Sequence, residues 1–213
     1  SEEVMLGPEG NLLAETPAHA HRLRVERPIV TNAELEKIRN ISNGNLKART
    51  LSILFKKEDG NKGLKKAMKK LFEEAEEALK EGFSILILSD RGVTKDDVPI
   101  PSLLACSGLH HHLIRKGTRT LTSIVVETGE AREMHHFACL IGYGANLINP
   151  YLALDTLKEE LDKGNINHGS TYESLEKNYL KATRKGLFKI LSKMGISTIQ
   201  SYCGAQIFEA IGL

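Results

Sequence analysis

The feature that most constrains this chain is an alternation, between residues 83 and 151, of short continuously apolar runs with segments of helix length. The runs at 83–88 (FSILIL) and 121–126 (LTSIVV) are rich in Ile, Leu and Val and offer apolar side chains to both faces of a strand. A strand of that kind must be covered on both sides, as in a parallel sheet. Two such strands joined through a helix form a βαβ unit with a right-handed crossover. A third run at 145–148 follows a second helical segment, so the expected core is β-α-β-α-β. Ligands of parallel α/β sheets sit beyond the carboxyl ends of the strands. Chemistry is therefore sought first in the loops at 89–98 and 127–132.

The flanking chain supplies further elements. Residues 1–28 read as loop, with turn signals at Gly7-Pro8 and Gly10-Asn11 and restricting prolines at Pro17 and Pro28. A short helix is expected over 32–40, capped by Thr31 or Asn32 and closed by a turn at 42–45. The run LSILF at 51–55 is a candidate first strand. Leu64, Ala67, Met68, Leu71, Phe72, Ala75, Ala78 and Leu79 recur at helical spacing, which predicts an amphipathic helix over 64–80 ended by Gly82. Pro101 suits the first turn of the next helix, and further helices are expected over 131–141 and 151–161. The polar stretch 163–169 is the boundary candidate. Ser170 with Glu173 fits a capping box opening a long helix to Lys193, and a last helix is expected over 199–210.

Composition excludes several classes. Acidic and basic residues are interspersed at a net charge of +2, so no field favours nucleic acid or an anionic membrane. The basic run 62–70 beside the acidic run 73–81 reads as one solvated helix face. Cys106, Cys139 and Cys203 are scattered without CxxC spacing, the pattern of a reduced, cytoplasmic protein. No apolar run approaches the roughly 20 residues that span a bilayer. Both ends read as cut, so the chain is expected to be a piece of something larger.

The candidate chemistry is sparse. His110, His111, His112, His135 and His136 invite a metal reading, but adjacent helical residues point about 100° apart and no HExxH spacing occurs. They are expected to be packing and hydrogen-bonding histidines. Asp90, Arg91, Glu127, Glu130 and Arg132 lie near two neighbouring strand ends. A carboxylate pair there would serve as acid and base, whereas Arg–carboxylate pairs would tie the loops together. With no nucleophile or phosphate loop nearby, the second reading is preferred. Cys203 is expected to be buried as a small apolar residue.

The residues themselves carry a resemblance. ILILSDRGV, PIPSLLACSGLHHHLIRKG, VVETGEAREMHHFACLIGYGANLINPYLA and KGLFKILSKMGISTIQSYCGAQIFEAIGL resemble the large subunit of glutamate synthase, as does the opening GPEGNLLAETPAHAHRLRVERPIVTNAELEKI. The resemblance implies residues 1–169 as the second part of the central domain and 170–213 as the start of the FMN-binding synthase domain. It implies a parent enzyme that hydrolyses glutamine, channels ammonia and adds it to 2-oxoglutarate, using FMN and an iron–sulfur cluster. Partners would be the flanking amidotransferase and synthase domains, with a small subunit or ferredoxin for the parent. Where the family commonly reads SYRGAQ, this chain has Cys203, and three scattered cysteines do not supply a cluster. No catalytic, cofactor or metal residue is carried over.

The expected fold class is therefore α/β, a parallel sheet of βαβ units, half-barrel-like and related to a (β/α)8 barrel, with a C-terminal helical extension. The expected role is a cofactor-free structural section positioning the parent's two sites and lining the ammonia path, with strand-end candidates Asp90, Arg91, Glu127 and Arg132. The alternative is a stand-alone α/β enzyme or FMN-binding module acting on a small anionic substrate. Truncation is expected to leave apolar surface uncovered around Leu187, Ile190 and Leu191.

Overall fold

The computed structural model describes residues 2–10, 13, 21–166, 169–209 and 211. In chain order its elements are β1 (Val4–Leu6), β2 (Leu23–Val25), α1 (Asn32–Arg39), β3 (Ser42–Asn43), β4 (Leu46–Ser52), β5 (Leu54–Lys56), α2 (Gly60–Lys80), β6 (Ile85–Ser89) and β7 (Asp97–Pro99). There follow α3 (Ser102–Arg115), β8 (Ser123–Glu127), α4 (Met134–Gly142), β9 (Leu147–Asn149), α5 (Tyr151–Asp162), α6 (Tyr172–Lys193) and α7 (Ile199–Tyr202).

The main sheet runs β3-β4-β6-β8-β9, and β4, β6, β8 and β9 are mutually parallel. Every residue of β6, β8 and β9 is buried, as their apolar runs require. The α/β class, the mostly parallel sheet and the βαβ units are thus as expected. Helices α2, α3 and α4 contact one another in sequence along one face.

One strand-like segment extends this sheet. Ile29 bridges Ile148 in parallel, with Val30 N donating to Ile148 O at 2.9 Å and Ile148 N to Pro28 O at 2.8 Å. Residues 28–30 therefore flank β9, while α1 carries the chain back to β4 on the far side. That step runs opposite to the march from β4 to β9. A right-handed crossover in the reverse direction must use the other face of the sheet. The side chains agree, for Arg39 at the end of α1 reaches Thr50 on β4 and Glu127 on β8.

Several local expectations are corrected. Residues 1–28 are not all loop: β1 and β2 pair antiparallel, and Gly7 N donates to Ser123 Oγ, which fastens them under β8. Pro17 lies outside the described residues. The run LSILF does not form one strand. Leu51 and Ser52 end β4, while β5 turns away to form a separate antiparallel ribbon with β7, which lies in the loop after β6. Helix α6 is capped one residue later than expected, by Thr171 with Ser174. The last helix stops at Tyr202 because Phe208 folds back against Gly142, Tyr143 and Tyr202.

The apolar face of α6 is covered. Leu187 and Leu191 are buried in the common core, and α6 lies along α4 and α5. Tyr179 donates to the Arg132 carbonyl at 2.8 Å, and Arg184 pairs with Glu2. The expected bare patch at these leucines is absent.

Candidate functional site

Ser52, Ser89, Glu127 and Asn149 stand in register across β4, β6, β8 and β9. A row of polar side chains thus closes the carboxyl end of an otherwise apolar sheet. Side chains alternate along a strand, so the row shares its face with Thr50, on the side that α1 covers.

Glu127 is the centre of this row and is only 1% exposed. Its Oε1 accepts from Ser89 Oγ at 2.5 Å, and its Oε2 accepts from Arg39 Nη2 at 2.7 Å and Arg91 Nε at 2.9 Å. Burial penalises the charge, but the bonds from Ser89 and Arg91 and the charge of Arg39 outweigh it and hold the carboxyl below the ordinary carboxylate range. The Arg91 guanidinium also sits over the Tyr151 ring, 4.1 Å from its centroid. Burial and then the neighbouring Asp90 carboxylate push the Tyr151 hydroxyl well up.

Asp90 is buried one residue on. Its backbone N–H donates to the Glu127 carbonyl at 3.2 Å. Its carboxylate accepts from Thr128 Oγ1 at 3.0 Å and from Gly129 N at 2.9 Å. Thr128 Oγ1 lies 2.6 Å from Ser102 Oγ, and Glu130 accepts from Ser102 N at 2.7 Å. The loops after β6 and β8 are tied to each other and to the first turn of α3.

At the end of the row, Asn149 Nδ2 donates to Val30 O at 3.1 Å and to Asn32 Oδ1 at 2.9 Å. Its Oδ1 is buried without a partner among the described residues. An orphaned buried carbonyl costs about 1–3 kcal/mol unless a water supplies the bond.

The chemistry follows from these partners. A general base must be free to take a proton near the working pH. Glu127 stays ionised and is clasped by two guanidinium groups and a hydroxyl, so it acts as a brace. Of the expected strand-end residues, Asp90, Arg91 and Glu127 come together. Arg132 does not join them: the residue is exposed, its backbone N–H donates to His136 Nδ1 at 3.2 Å and its backbone carbonyl accepts from Tyr179. Sequence reasoning missed Arg39, Ser89, Asn149 and Tyr151. Ser89 was legible as the polar residue ending an apolar run, whereas Arg39 gave no such signal.

The histidines go separate ways. His112 Nε2 meets Glu76 Oε1 at 2.6 Å and its ring stacks on Phe72, His111 Nδ1 contacts the Ser107 carbonyl, and His136 closes the first turn of α4. Among the described residues no group of three His, Cys, Asp or Glu side chains converges as a metal site. Burial pushes the Cys106 thiol up to about 12 and raises the Cys203 thiol, which suits packing more than nucleophilic use. No helix among the described residues is long and apolar enough to cross a membrane.

Known proteins resemble this chain throughout its length. The family model described as the glutamate synthase central domain matches residues 1–213. The chain is 47% identical over 213 residues to the glutamate synthase (NADPH) large chain of Bacillus subtilis and 40% identical over 215 residues to the glutamate synthase (NADH) of Schizosaccharomyces pombe. It is 44% identical over 224 residues to the chloroplastic ferredoxin-dependent glutamate synthase of Spinacia oleracea. These matches cover 100% of the chain but only 14%, 10% and 14% of the three relatives. Among solved structures, an L230A mutant flavocytochrome b2 with benzoylformate is similar at a TM-score of 0.52 and 12% identity, over 67% of this chain and 36% of that one. At that identity the likeness is one of fold, and it agrees with the expected half-barrel-like α/β arrangement of βαβ units.

Proposed function

Because this chain belongs to the glutamate synthase central domain family, we propose that it is a structural section of a glutamate synthase large chain, holding an ammonia-producing site and an ammonia-consuming site at fixed separation. The parent would make glutamate from glutamine and 2-oxoglutarate. Ammonia released into water near neutral pH is mostly protonated and a poor nucleophile. A rigid spacer that excludes water preserves the reactive form and supplies proximity.

The observation that carries this reading is the self-contained bonding of the strand-end cluster. Glu127 is spent on Arg39, Arg91 and Ser89, and Asp90 on Thr128 and Gly129. Such a cluster stiffens a wall and leaves no free acid or base, which also argues against a stand-alone enzyme. The loops at 89–98 and 127–132 are the proposed surface along the ammonia path. In this reading the section binds no cofactor itself, FMN and the iron–sulfur cluster belong to the rest of the parent, and the whole works in the cytoplasm. Its partners are the amidotransferase and synthase domains on either side, and residues 170–213 are the passage into the latter.

The test is Glu127→Gln in the full-length enzyme. Glutamine-dependent synthesis should fall while ammonia-dependent synthesis persists. In variant enzyme shown to be folded by its urea transition, equal loss of both would point to chemistry at Glu127 and overturn the spacer role.

A further inference from the structure

We propose that the cavity beside Arg119, at the amino ends of the strands and opposite the cluster described above, binds a small oxyanion, either a short carboxylate or inorganic phosphate. Arg119 opens the 3-10 turn Arg119–Leu121 that leads into β8. Its guanidinium is spent on uncharged acceptors. Nε donates to His110 Nδ1 at 2.9 Å, Nη1 to Thr122 O at 2.7 Å, and Nη2 to Gly144 O at 2.9 Å and Asn146 Oδ1 at 3.1 Å. Of the five N–H groups a guanidinium carries, one on Nη1 is left over. Among the described residues no carboxylate lies within ion-pair distance of it. The Glu9 carboxylate acts on it only from beyond that distance, and burial outweighs this attraction and lowers the Arg119 pKa, so an anion placed beside the guanidinium recovers part of the cost of burying it.

The space for an anion is present. A cavity of about 170 Å³ is bounded by Arg119, His110, Arg22, Asn146, Gln200 and Cys203 among others. His110 is held between two glycine backbones, since a Cβ on Gly144 would come within 2.4 Å of its ring and one on Gly204 within 2.9 Å. Accepting from Arg119 at Nδ1 fixes its tautomer, so Nε2 carries the proton and is a donor. Arg22 Nε is buried without a hydrogen-bond partner. The acids at the rim are engaged, Glu9 lying 3.7 Å from Arg22 and Glu3 paired with Arg24. Drug-sized ligands occupy about 300 Å³ or more, and the space here equals roughly five or six water volumes. The ligand is therefore acetate- or phosphate-sized.

Thermal unfolding of the 213-residue chain in acetate, phosphate or chloride at matched ionic strength tests this. The binding anion at a hundredfold excess over its Kd should raise Tm by about 5–10 °C above chloride, and whichever of the two does so names the source. Cys203→Leu, which fills the cavity and keeps the guanidinium, should reduce that rise to the chloride baseline. Amide NMR on the unaltered protein guards against a variant that fails to fold: Ser123 and Cys203 should shift with the same Kd. Neither anion exceeding chloride, a full response in Cys203→Leu, or shifts confined to other residues would overturn the proposal.

Discussion

Arg39 on α1 and Glu127 on β8 meet at 2.7 Å across the sheet face that α1 covers, although 88 residues separate them. Because Glu127 also holds Arg91 and Ser89, neutralising it weakens three bonds at once. Glu127→Gln should cost about 2–4 kcal/mol, read as a lower urea midpoint at unchanged m-value. The pH dependence has a definite sign. A carboxyl whose pKa is lowered by folding stabilises fully above its unfolded value of about 4.3, and that stability is lost as pH falls through the lower folded value. The variant should lack this acid-side loss. A midpoint equal to the parent's at pH 7 would refute the brace.

His110 should resist protonation. Burial first, then the positive charge of Arg119, lowers its pKa to about 4. The unfolded chain takes up a proton near 6.5 that the folded chain refuses, so stability is complete above that pH and declines as pH falls towards 4. The loss amounts to about 3 kcal/mol. NMR titration should leave the His110 ring neutral at pH 5.5, and a midpoint near 6.5 would contradict its buried pairing.

Gly144 should tolerate no side chain. Its φ is +114° and a Cβ there would sit 2.4 Å from His110. Gly164, with φ +75° and open space around it, is the matched control. Gly164→Ala should cost about 1 kcal/mol from backbone strain alone. Gly144→Ala should lose several times as much in denaturant titration, because strain and overlap combine.

Leu187 should matter as a core residue. It is fully buried where α6 lies along α4, so Leu187→Ala should cost about 2–5 kcal/mol. The loss should appear in one cooperative transition, followed by two probes. An unfolding step limited to residues beyond 170 would show instead that α6 is held independently of the sheet.

What was legible in the sequence follows from which constraints are local. The strands β6 and β8 announce themselves because both of their faces are covered. The expected runs start two residues before these strands and end one residue short of them, the shortfall arising because Ser89 and Glu127 are polar yet buried and hydropathy stops before them. The pairing of β1 with β2 was missed because each has three residues and many residues intervene. Asp90, Arg91 and Glu127 were found by the rule that chemistry gathers at strand ends. Arg39 and Asn149 were not, because their partners lie 88 and 117 residues away and nothing local marks them. The end of α7 depends on where Phe208 goes, a tertiary matter that helical spacing does not encode.

The bridge between Ile29 and Ile148 has a consequence for how the chain is made. Residues 28–30 seal one margin of the sheet, and α1 tethers them to the other, so neither margin can peel away alone. Val30 and Asn149 are 119 residues apart, and closing so long a loop is entropically expensive and slow. During synthesis the segment at 28–30 must wait, unpaired, until β9 has left the ribosome.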